Sequence, residues 1–262
     1  MARGSLGVIK FGSDFTGVGL DAQVPAATGV HSIGNGIGLC GVNEGTLTFT
    51  VDEPGGVIAL TTDTGDDDNV CLVAGVFKPV DGGMWMEARF KITSSVAATR
   101  SSVFCGFTET LSVTTPVMPV ERSGTTNTFN GTGGVLGVLF DSDSTILRFF
   151  ACAADGGAAL AAKNSKTGAS ITTGVLDLSN TMTADRWYVV RVEIGTNGKG
   201  RVYFGDIDSG DELELVFENT TALGTGDNFH AVLMTETRVI TTSNIMEADY
   251  FIGEGYRDWA VD

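Results

Sequence analysis

The sequence predicts an all-β fold in which two antiparallel sheets pack as a jelly-roll sandwich with an N-terminal arm. Apolar and polar residues alternate at a period of two, whereas the three- and four-residue spacing of helices is almost absent. Clusters of Gly, Asp, Asn and Pro recur between the alternating segments and mark turns. Hydrophobic residues make up 42% of the 262 residues, which is enough for a large core. Two packed sheets bury their inner faces, so a single sandwich domain accounts for this length.

Fourteen segments have the alternation expected of strands, and they follow one another at short, fairly even intervals. In chain order they are residues 6–11, 36–42, 46–51, 56–61, 70–77, 84–93, 102–108, 134–141, 145–153, 187–195, 200–204, 212–217, 229–235 and 246–253. Turn-forming clusters separate them, as at 52–56 and 81–83. The clearest turn is 196–200, because Asn197-Gly198 tolerates the positive φ of a tight hairpin.

Two segments depart from this strand rhythm and set the predicted organisation of the chain. Residues 1–35 are expected to form an N-terminal arm and loop, and residues 36–262 the sandwich domain. Residues 111–133 are rich in Thr, Ser, Pro and Asn and are expected to form a long loop. A loop of this length is either mobile at the surface or ordered by a partner, and the sequence leaves both readings open.

The charge and the cysteines restrict the partners and the compartment. Sixteen basic against 32 acidic side chains give 16 − 32 = −16, which opposes nucleic acid as a ligand. No run reaches the ~18 apolar residues of a membrane span, and the N-terminus lacks the apolar stretch of a secretory signal, so we expect no membrane partner and no export. Cys40, Cys71, Cys105 and Cys152 lie far apart in apolar runs, which predicts buried free thiols.

The residues needed for catalysis or metal binding are scarce. There are two histidines, and no cysteine pair has the spacing of a zinc site. The sequence contains neither a Gly-x-Ser-x-Gly elbow nor a phosphate-binding loop. The acidic turns 63–69 and 206–212 offer oxygen ligands, but neither has EF-hand spacing and such turns are commonly solvated. We therefore expect no catalytic residue, no metal and no cofactor.

Two predicted strands each place apolar residues on one face and charged residues on the other. Their outward residues are Trp85, Glu87, Arg89 and Lys91 in the first strand and Trp187, Val189, Arg191 and Glu193 in the second. The matching patterns predict that Glu87/Arg89 and Arg191/Glu193 pair across neighbouring antiparallel strands.

Three sequence features together resemble a known fold family. They are the aromatic-x-Glu-x-Arg-Phe strand at 85–90, the strand opening with Trp187-Tyr188, and the hairpin leading into Val202-Tyr203-Phe204. This combination resembles the concanavalin A-like lectin/glucanase jelly roll, over roughly residues 56–255. The resemblance bears on fold more than on function, because the same fold serves lectins, glucanases, laminin G-like modules and structural domains of viral particles.

A further likeness concerns one branch of that fold. Residues 56–62 before an acidic loop, then Phe77-Lys78-Pro79 and the Glu87-containing strand, are similar to jelly-roll proteins of tailed-bacteriophage virions. The likeness implies a non-enzymatic virion protein, made in the host cytoplasm, that decorates or cements the capsid. Its implied partners are the major capsid protein or another virion protein and further copies of itself. A lectin-like module that binds glycans for adhesion is the alternative, and a β-glucanase comes third.

Candidate partner-binding residues lie in the N-terminal arm. Its apolar residues include Leu6, Val8, Ile9, Phe11 and Phe15, too many for a free solvated tail. We expect them to be buried against a neighbouring subunit or capsid protein by strand addition. The competing interpretation is that 6–11 forms the first strand of the chain's own sandwich.

Two tryptophans are the candidate glycan-binding or interface aromatics. Trp85 and Trp187, with Trp259, could stack on a sugar ring, or the first two could cover the outer sheet or a subunit contact. Hydrolysis is not expected, because glucanases of this fold resemble one another in carrying Glu-x-Asp-x-x-Glu on one strand. Here Glu247 and Asp249 are followed by Ile252 where the second catalytic carboxylate would stand.

Overall fold

The computed structural model describes residues 8–15, 30–41, 45–50, 56–93, 101–112, 116–238 and 242–256. These residues form 21 strands and the two short 3-10 turns Pro79–Asp81 and Ile207–Ser209, and they include no helix that could span a membrane. In chain order the strands are β1 Val8–Ser13, β2 His31–Gly34, β3 Ile37–Gly41, β4 Thr46–Phe49, β5 Ile58–Thr61, β6 Asn69–Phe77, β7 Met84–Ile92, β8 Ser101–Thr108, β9 Val120–Ser123, β10 Thr126–Phe129, β11 Val135–Asp141, β12 Arg148–Asp155, β13 Ala158–Ala159, β14 Ala162–Asn164, β15 Ser170–Ile171, β16 Val175–Thr181, β17 Tyr188–Ile194, β18 Gly200–Asp206, β19 Glu214–Asn219, β20 Phe229–Thr237 and β21 Ile245–Tyr256.

Two large antiparallel sheets make up the fold. The ten-stranded sheet has the order β15-β14-β19-β18-β17-β7-β21-β5-β4, with β1 also paired to β21. The nine-stranded sheet has the order β13-β12-β11-β8-β20-β6-β3-β2, with β16 also paired to β12. The predicted all-β, two-sheet antiparallel sandwich is therefore confirmed.

The core lies between the two sheets and follows from the alternation in their strands. Along β7 every second residue is buried, so Met86, Ala88 and Phe90 face inward. At the centre, the Phe149 ring lies 4.6 Å from that of Tyr188 and 5.0 Å from that of Phe204, measured between centroids. Burial of each such ring contributes about 1.5–3 kcal/mol to folding, so this cluster anchors the two sheets to each other.

The central strands of the nine-stranded sheet are buried on both faces. Every residue of β8 and β11 is buried, and the outer face has its own apolar cluster. That cluster comprises Cys40, Cys71, Val73, Phe104, Met118, Val120, Val135, Leu139, Cys152, Val232 and Met234. Met118 and Val120 belong to residues 116–130, named here the cover segment, which includes the β9–β10 hairpin. This part of the expected loop 111–133 is thus a packed third layer.

The described part of the N-terminal segment belongs to the sandwich. β1 pairs with β21, and the ring centroids of Phe11 and Phe251 lie 5.2 Å apart. The Phe11 ring also lies against Gly253, where the Cβ of any other residue would clash with the ring. Phe11 and Phe15 are 4% and 2% exposed and belong to this chain's own core, so the structure favours the competing interpretation in which residues 6–11 begin the chain's own sandwich.

The remaining residues of the proposed partner-binding set have different surroundings. Val8, at the start of β1, is 41% exposed, and Ile9 is half-buried against the core. Leu6 lies outside the described residues. Partner binding through the N-terminal segment stays a prediction, and within β1 Val8 is its most exposed apolar side chain.

Candidate functional site

The outer face of the ten-stranded sheet carries charged and aromatic side chains, as the alternation predicts. Arg191 of β17 lies opposite Glu87 of β7, and their side chains form an ion pair of 3.8 Å. Arg191 also contacts Glu193 at 2.8 Å, whereas Arg89 pairs with Asp249 of β21 at 2.9 Å. The predicted pairing between these strands is therefore confirmed for Arg191 and Glu87, while Arg89 has a partner on the other neighbouring strand.

The two tryptophans lie at opposite ends of this face. Cations cover both indoles: Arg89 and Lys91 lie 4.7 Å from the Trp187 ring centroid, and Arg191 lies 4.7 Å from that of Trp85. In the β7–β17 register Trp85 lies opposite Glu193, and Trp187 falls beyond the pair of Tyr188 and Phe90. The two indoles are thus about six residues, or roughly 20 Å, apart along the sheet and do not form one platform.

A pocket lies at the Trp85 end of the sheet. Its volume is about 360 Å³, and its walls include Trp85, Glu193, Asn197, Lys199, Glu254 and Tyr256. The Tyr256 ring lies directly on Gly82, where a Cβ would come within 2.4 Å of its Cγ. Two aromatic rings thus meet an amide, an ammonium and two carboxylates around one open cavity, an arrangement suited to a small polar ligand.

Local sequence explains how the polar groups reach this pocket. The turn between β17 and β18 is closed by hydrogen bonds from the Gly195 N–H to the Lys199 carbonyl, 2.9 Å, and from the Lys199 N–H to Asn197 Oδ1, 3.1 Å. Gly198 at its tip has φ of +73°, as the Asn-Gly hairpin signal predicts. Across the pocket, Glu254 forms an ion pair of 3.5 Å with Lys10 of β1.

Sequence reasoning found part of this pocket and missed the rest. Trp85 was expected from the strand alternation, and Asn197 lies in a turn that the sequence marks. Lys199 lies in the same turn, but the sequence gives it no role in binding. Glu254 and Tyr256 are not indicated as pocket residues, because they reach the pocket through the pairing of β21 with β7. Trp259, the third candidate aromatic, lies outside the described residues.

The residues that align with the glucanase motif are engaged within the sheet. Glu247 forms a 2.9 Å ion pair with Lys91, and Asp249 pairs with Arg89. A bulge in β21 after Ala248 places Tyr250 beside Arg89 as well, and the Tyr250 hydroxyl donates to Glu87 at 2.8 Å. Burial and this neighbouring carboxylate raise the pKa of Tyr250, so its hydroxyl stays protonated. A neutral Ile252 follows in the position of the second carboxylate.

Carboxylates in both acidic turns named as calcium candidates accept hydrogen bonds from their own turn or pair with cations of this chain. Asp68 accepts the Gly65 N–H at 2.7 Å, and Asp206 accepts the Ser209 N–H at 3.2 Å while pairing with Arg186 at 3.1 Å. These contacts fix the turns themselves, so the carboxylates stabilise backbone conformation.

A carboxylate cluster that the sequence did not indicate lies at one end of the nine-stranded sheet. Oxygens of Glu109, Asp155 and Asp227 lie within 4.8 Å of one another, and among the described residues no other group of His, Cys, Asp and Glu is so arranged. Glu109 accepts the Gly134 N–H and Asp155 accepts the Gly224 N–H. Calcium takes six to eight oxygen ligands, so three half-buried carboxylates, two already hydrogen-bonded, form an incomplete set.

Comparison with solved structures identifies the fold class of the chain, whereas two comparisons by sequence find no match. No family model matches the sequence, and no curated protein matches it. A solved protein of unknown function from Shewanella oneidensis MR-1 is 15% identical with a TM-score of 0.55, covering 95% of this chain and 87% of its own.

Two lectin structures are also similar at about the same level. The carbohydrate recognition domain of Emp47p is 10% identical with a TM-score of 0.52, covering 94% of this chain and 96% of that one. The VIP36 exoplasmic/lumenal domain, bound to Ca²⁺ and Man2, is 10% identical with a TM-score of 0.50, covering 97% and 89%. The chain therefore has the concanavalin A-like jelly-roll sandwich fold, as the sequence resemblance implied.

Proposed function

We propose that this protein binds carbohydrate, without hydrolysing it, at the pocket beside Trp85. The observation that carries the proposal is the meeting of Trp85 and Tyr256 with Asn197, Lys199 and two carboxylates around a cavity of about 360 Å³. Pockets for small ligands generally range over about 300–1,000 Å³, so this one suits the end of a short glycan.

The chemistry of the pocket wall matches that of a sugar. An indole or phenol ring packs against the apolar C–H face of a pyranose, while hydroxyl groups need hydrogen-bond donors and acceptors at the ring edge. Arg191 lies over the Trp85 ring and restrains it before any ligand arrives. A pre-ordered aromatic surface lowers the entropy lost on binding.

The fold comparisons support a glycan over other small polar ligands. The Emp47p domain is described as a carbohydrate recognition domain, and VIP36 was solved with a mannose disaccharide. A sequence identity of 10% to each structure supports a shared fold but not a shared binding site, so the proposal depends on the pocket itself.

Replacing Trp85 by Ala is expected to weaken glycan binding at least tenfold, because stacking area and ring order are lost together. A glycan array of neutral and acidic oligosaccharides selects the ligand, and calorimetric titration then compares the variant with the parent protein. Trp187→Ala is the matched control, since this indole is roughly 20 Å away and is expected to leave affinity unchanged. Equal affinity of Trp85→Ala and the parent, or absence of any glycan signal, would contradict the proposal.

The absence of hydrolysis is part of the proposal and is tested separately. Glu247 is held by Lys91, and Ile252 offers no acid or base to a scissile bond. Incubation with laminarin or agar is expected to release no reducing sugar. Release that disappears in Glu247→Gln would establish a glucanase instead.

A structural role in a bacteriophage virion is the second proposal. It is supported by the sequence resemblance and by the exposed apolar side chain of Val8 at the start of β1. Co-sedimentation with particles that is lost on deleting residues 2–7, while the melting temperature is kept, would favour this role.

A further inference from the structure

Two of the four cysteines lie directly opposite each other in neighbouring strands. Cys40 of β3 pairs in register with Cys71 of β6, and both are fully buried. The other two have no such neighbour: Cys105 lies opposite Val138 and Leu233, and Cys152 lies opposite Gly137 and Val175.

The side chains of Cys40 and Cys71 point to the same face of the nine-stranded sheet. Both belong to the outer apolar cluster, whereas the adjacent Leu39 and Leu72 belong to the core between the sheets. A hydrogen bond with Cys40, together with burial, raises the pKa of the Cys71 thiol.

The spacing of such a pair suits a disulfide. Directly opposite residues in antiparallel strands have Cα atoms about 4.5 or 5.5 Å apart, depending on the hydrogen-bonding position. Disulfides span Cα separations of about 4.4–6.8 Å, so either position allows the bond without moving the strands apart.

We propose that Cys40 and Cys71 form a redox-sensitive dithiol that a peroxide converts into a cross-strand disulfide. One thiolate attacks a peroxide oxygen, which gives a sulfenic acid and releases one water after protonation. The second thiol then displaces the sulfenic hydroxyl as a second water and forms the S–S bond. The two thiols lose two hydrogens and two electrons, and one hydrogen peroxide is reduced to two waters.

The cover segment controls access to this pair. Its Met118 is fully buried in the same cluster, and the Pro116 carbonyl accepts a 2.8 Å hydrogen bond from the Asn69 side chain, two residues before Cys71. Because the thiolate is the reactive form and burial disfavours it, oxidation in the closed state is slow. The disulfide therefore forms when the cover segment opens, and once formed it links β6 to β3, the strand next to the edge strand β2.

The test treats the full chain with hydrogen peroxide, blocks the remaining thiols after unfolding, and measures intact mass and peptides without reduction. We expect a mass lower by two hydrogens, one cross-link joining the Cys40 and Cys71 peptides, and full reversal by dithiothreitol. Cys40→Ala and Cys71→Ala are each expected to abolish the cross-link, since Ala keeps the site apolar. Cys152→Ala, in the same outer cluster, is the matched control that leaves it unchanged.

A second condition distinguishes a cysteine pair that peroxide reaches slowly from a pair that cannot form a disulfide. The same treatment in urea below the unfolding transition is expected to speed cross-linking at least several-fold by opening the cover segment. If all four thiols remain free under both conditions, or if the linkage involves Cys105 or Cys152, the proposal is overturned.

Discussion

Replacing Arg238 by Met is expected to lower the free energy of unfolding by about 3–5 kcal/mol, because it leaves buried carboxylates without their cation. The Arg238 side chain is only 7% exposed; Arg238 directly follows β20 and forms an ion pair with Glu121 of the cover segment. Five carboxylates lie within 4 Å of its guanidinium: Asp67 at 2.9 Å, Glu236 at 3.0 Å, Asp141 at 3.2 Å, and Glu121 and Asp143 at 3.7 Å.

The pH dependence of the Arg238→Met defect follows from Glu236. Burial raises the pKa of Glu236 to about 8, with Asp67, Glu121 and Asp141 adding to the rise and Arg238 opposing it. The folded protein therefore keeps a proton that the unfolded chain loses near pH 4.5, so stability falls as pH rises from there to about 8. Without Arg238, ionised Glu236 is repelled more strongly by Asp67, Glu121 and Asp141. The loss of unfolding free energy in Arg238→Met is therefore expected to be larger at pH 8 than at pH 5.

Urea unfolding of both proteins at the two pH values measures this effect. Arg148→Met is the matched control, because its ion pair with Asp177 is 3.0 Å long but well exposed, and such pairs contribute about 0–1 kcal/mol. A loss below about 1 kcal/mol for Arg238→Met at pH 8 would contradict a stabilising role of this cation.

The strands that the sequence predicts are those with long apolar alternation. All fourteen predicted segments overlap observed strands, because burial of one face selects residues at a period of two. The strands that were missed are short or polar. In β13 both alanines are exposed, and in β16 the apolar alternation is confined to Leu176 and Leu178, which pack against the core, before the strand becomes polar.

The sequence also contains evidence for the third layer, the cover segment, which the prediction of a two-sheet sandwich does not use. β11 is apolar at nearly every position and β8 contains the run 103–107 without a polar side chain, a pattern typical of strands buried on both faces. That pattern indicates that something covers the outer face, but it does not identify the cover. The cover segment is polar in β10, and it is held by contacts such as the Arg122 N–H to Asp141, which join residues 19 apart in sequence.

The candidate pocket shows the same division between local and long-range information. The sequence indicates Trp85 and the Asn197-Gly198 turn, because alternation and turn chemistry are local. The approach of Tyr256 to Trp85 depends on the register of β21 against β7, which a single sequence does not specify.

Replacing Phe149 by Ala is expected to cost about 3–5 kcal/mol of unfolding free energy, the range for aromatic truncation in a packed core. Phe149 is fully buried, and its ring lies 4.6 Å from Tyr188, 5.0 Å from Phe204, 5.7 Å from Phe140 and 6.5 Å from Phe90, between centroids. These rings come from both sheets, so the cavity left behind removes contacts on both sides of the sandwich.

Urea unfolding at neutral pH measures the loss, and Phe129→Ala is the control for removing an aromatic ring outside this core. Phe129 is half-buried in the cover segment, so its truncation is expected to cost less than half as much. Phe149→Leu should recover most of the loss, because Leu refills much of the cavity without the ring. Equal losses for the two alanine variants would mean that the sandwich core and the cover segment contribute alike, which contradicts a fold anchored at the Phe149 cluster.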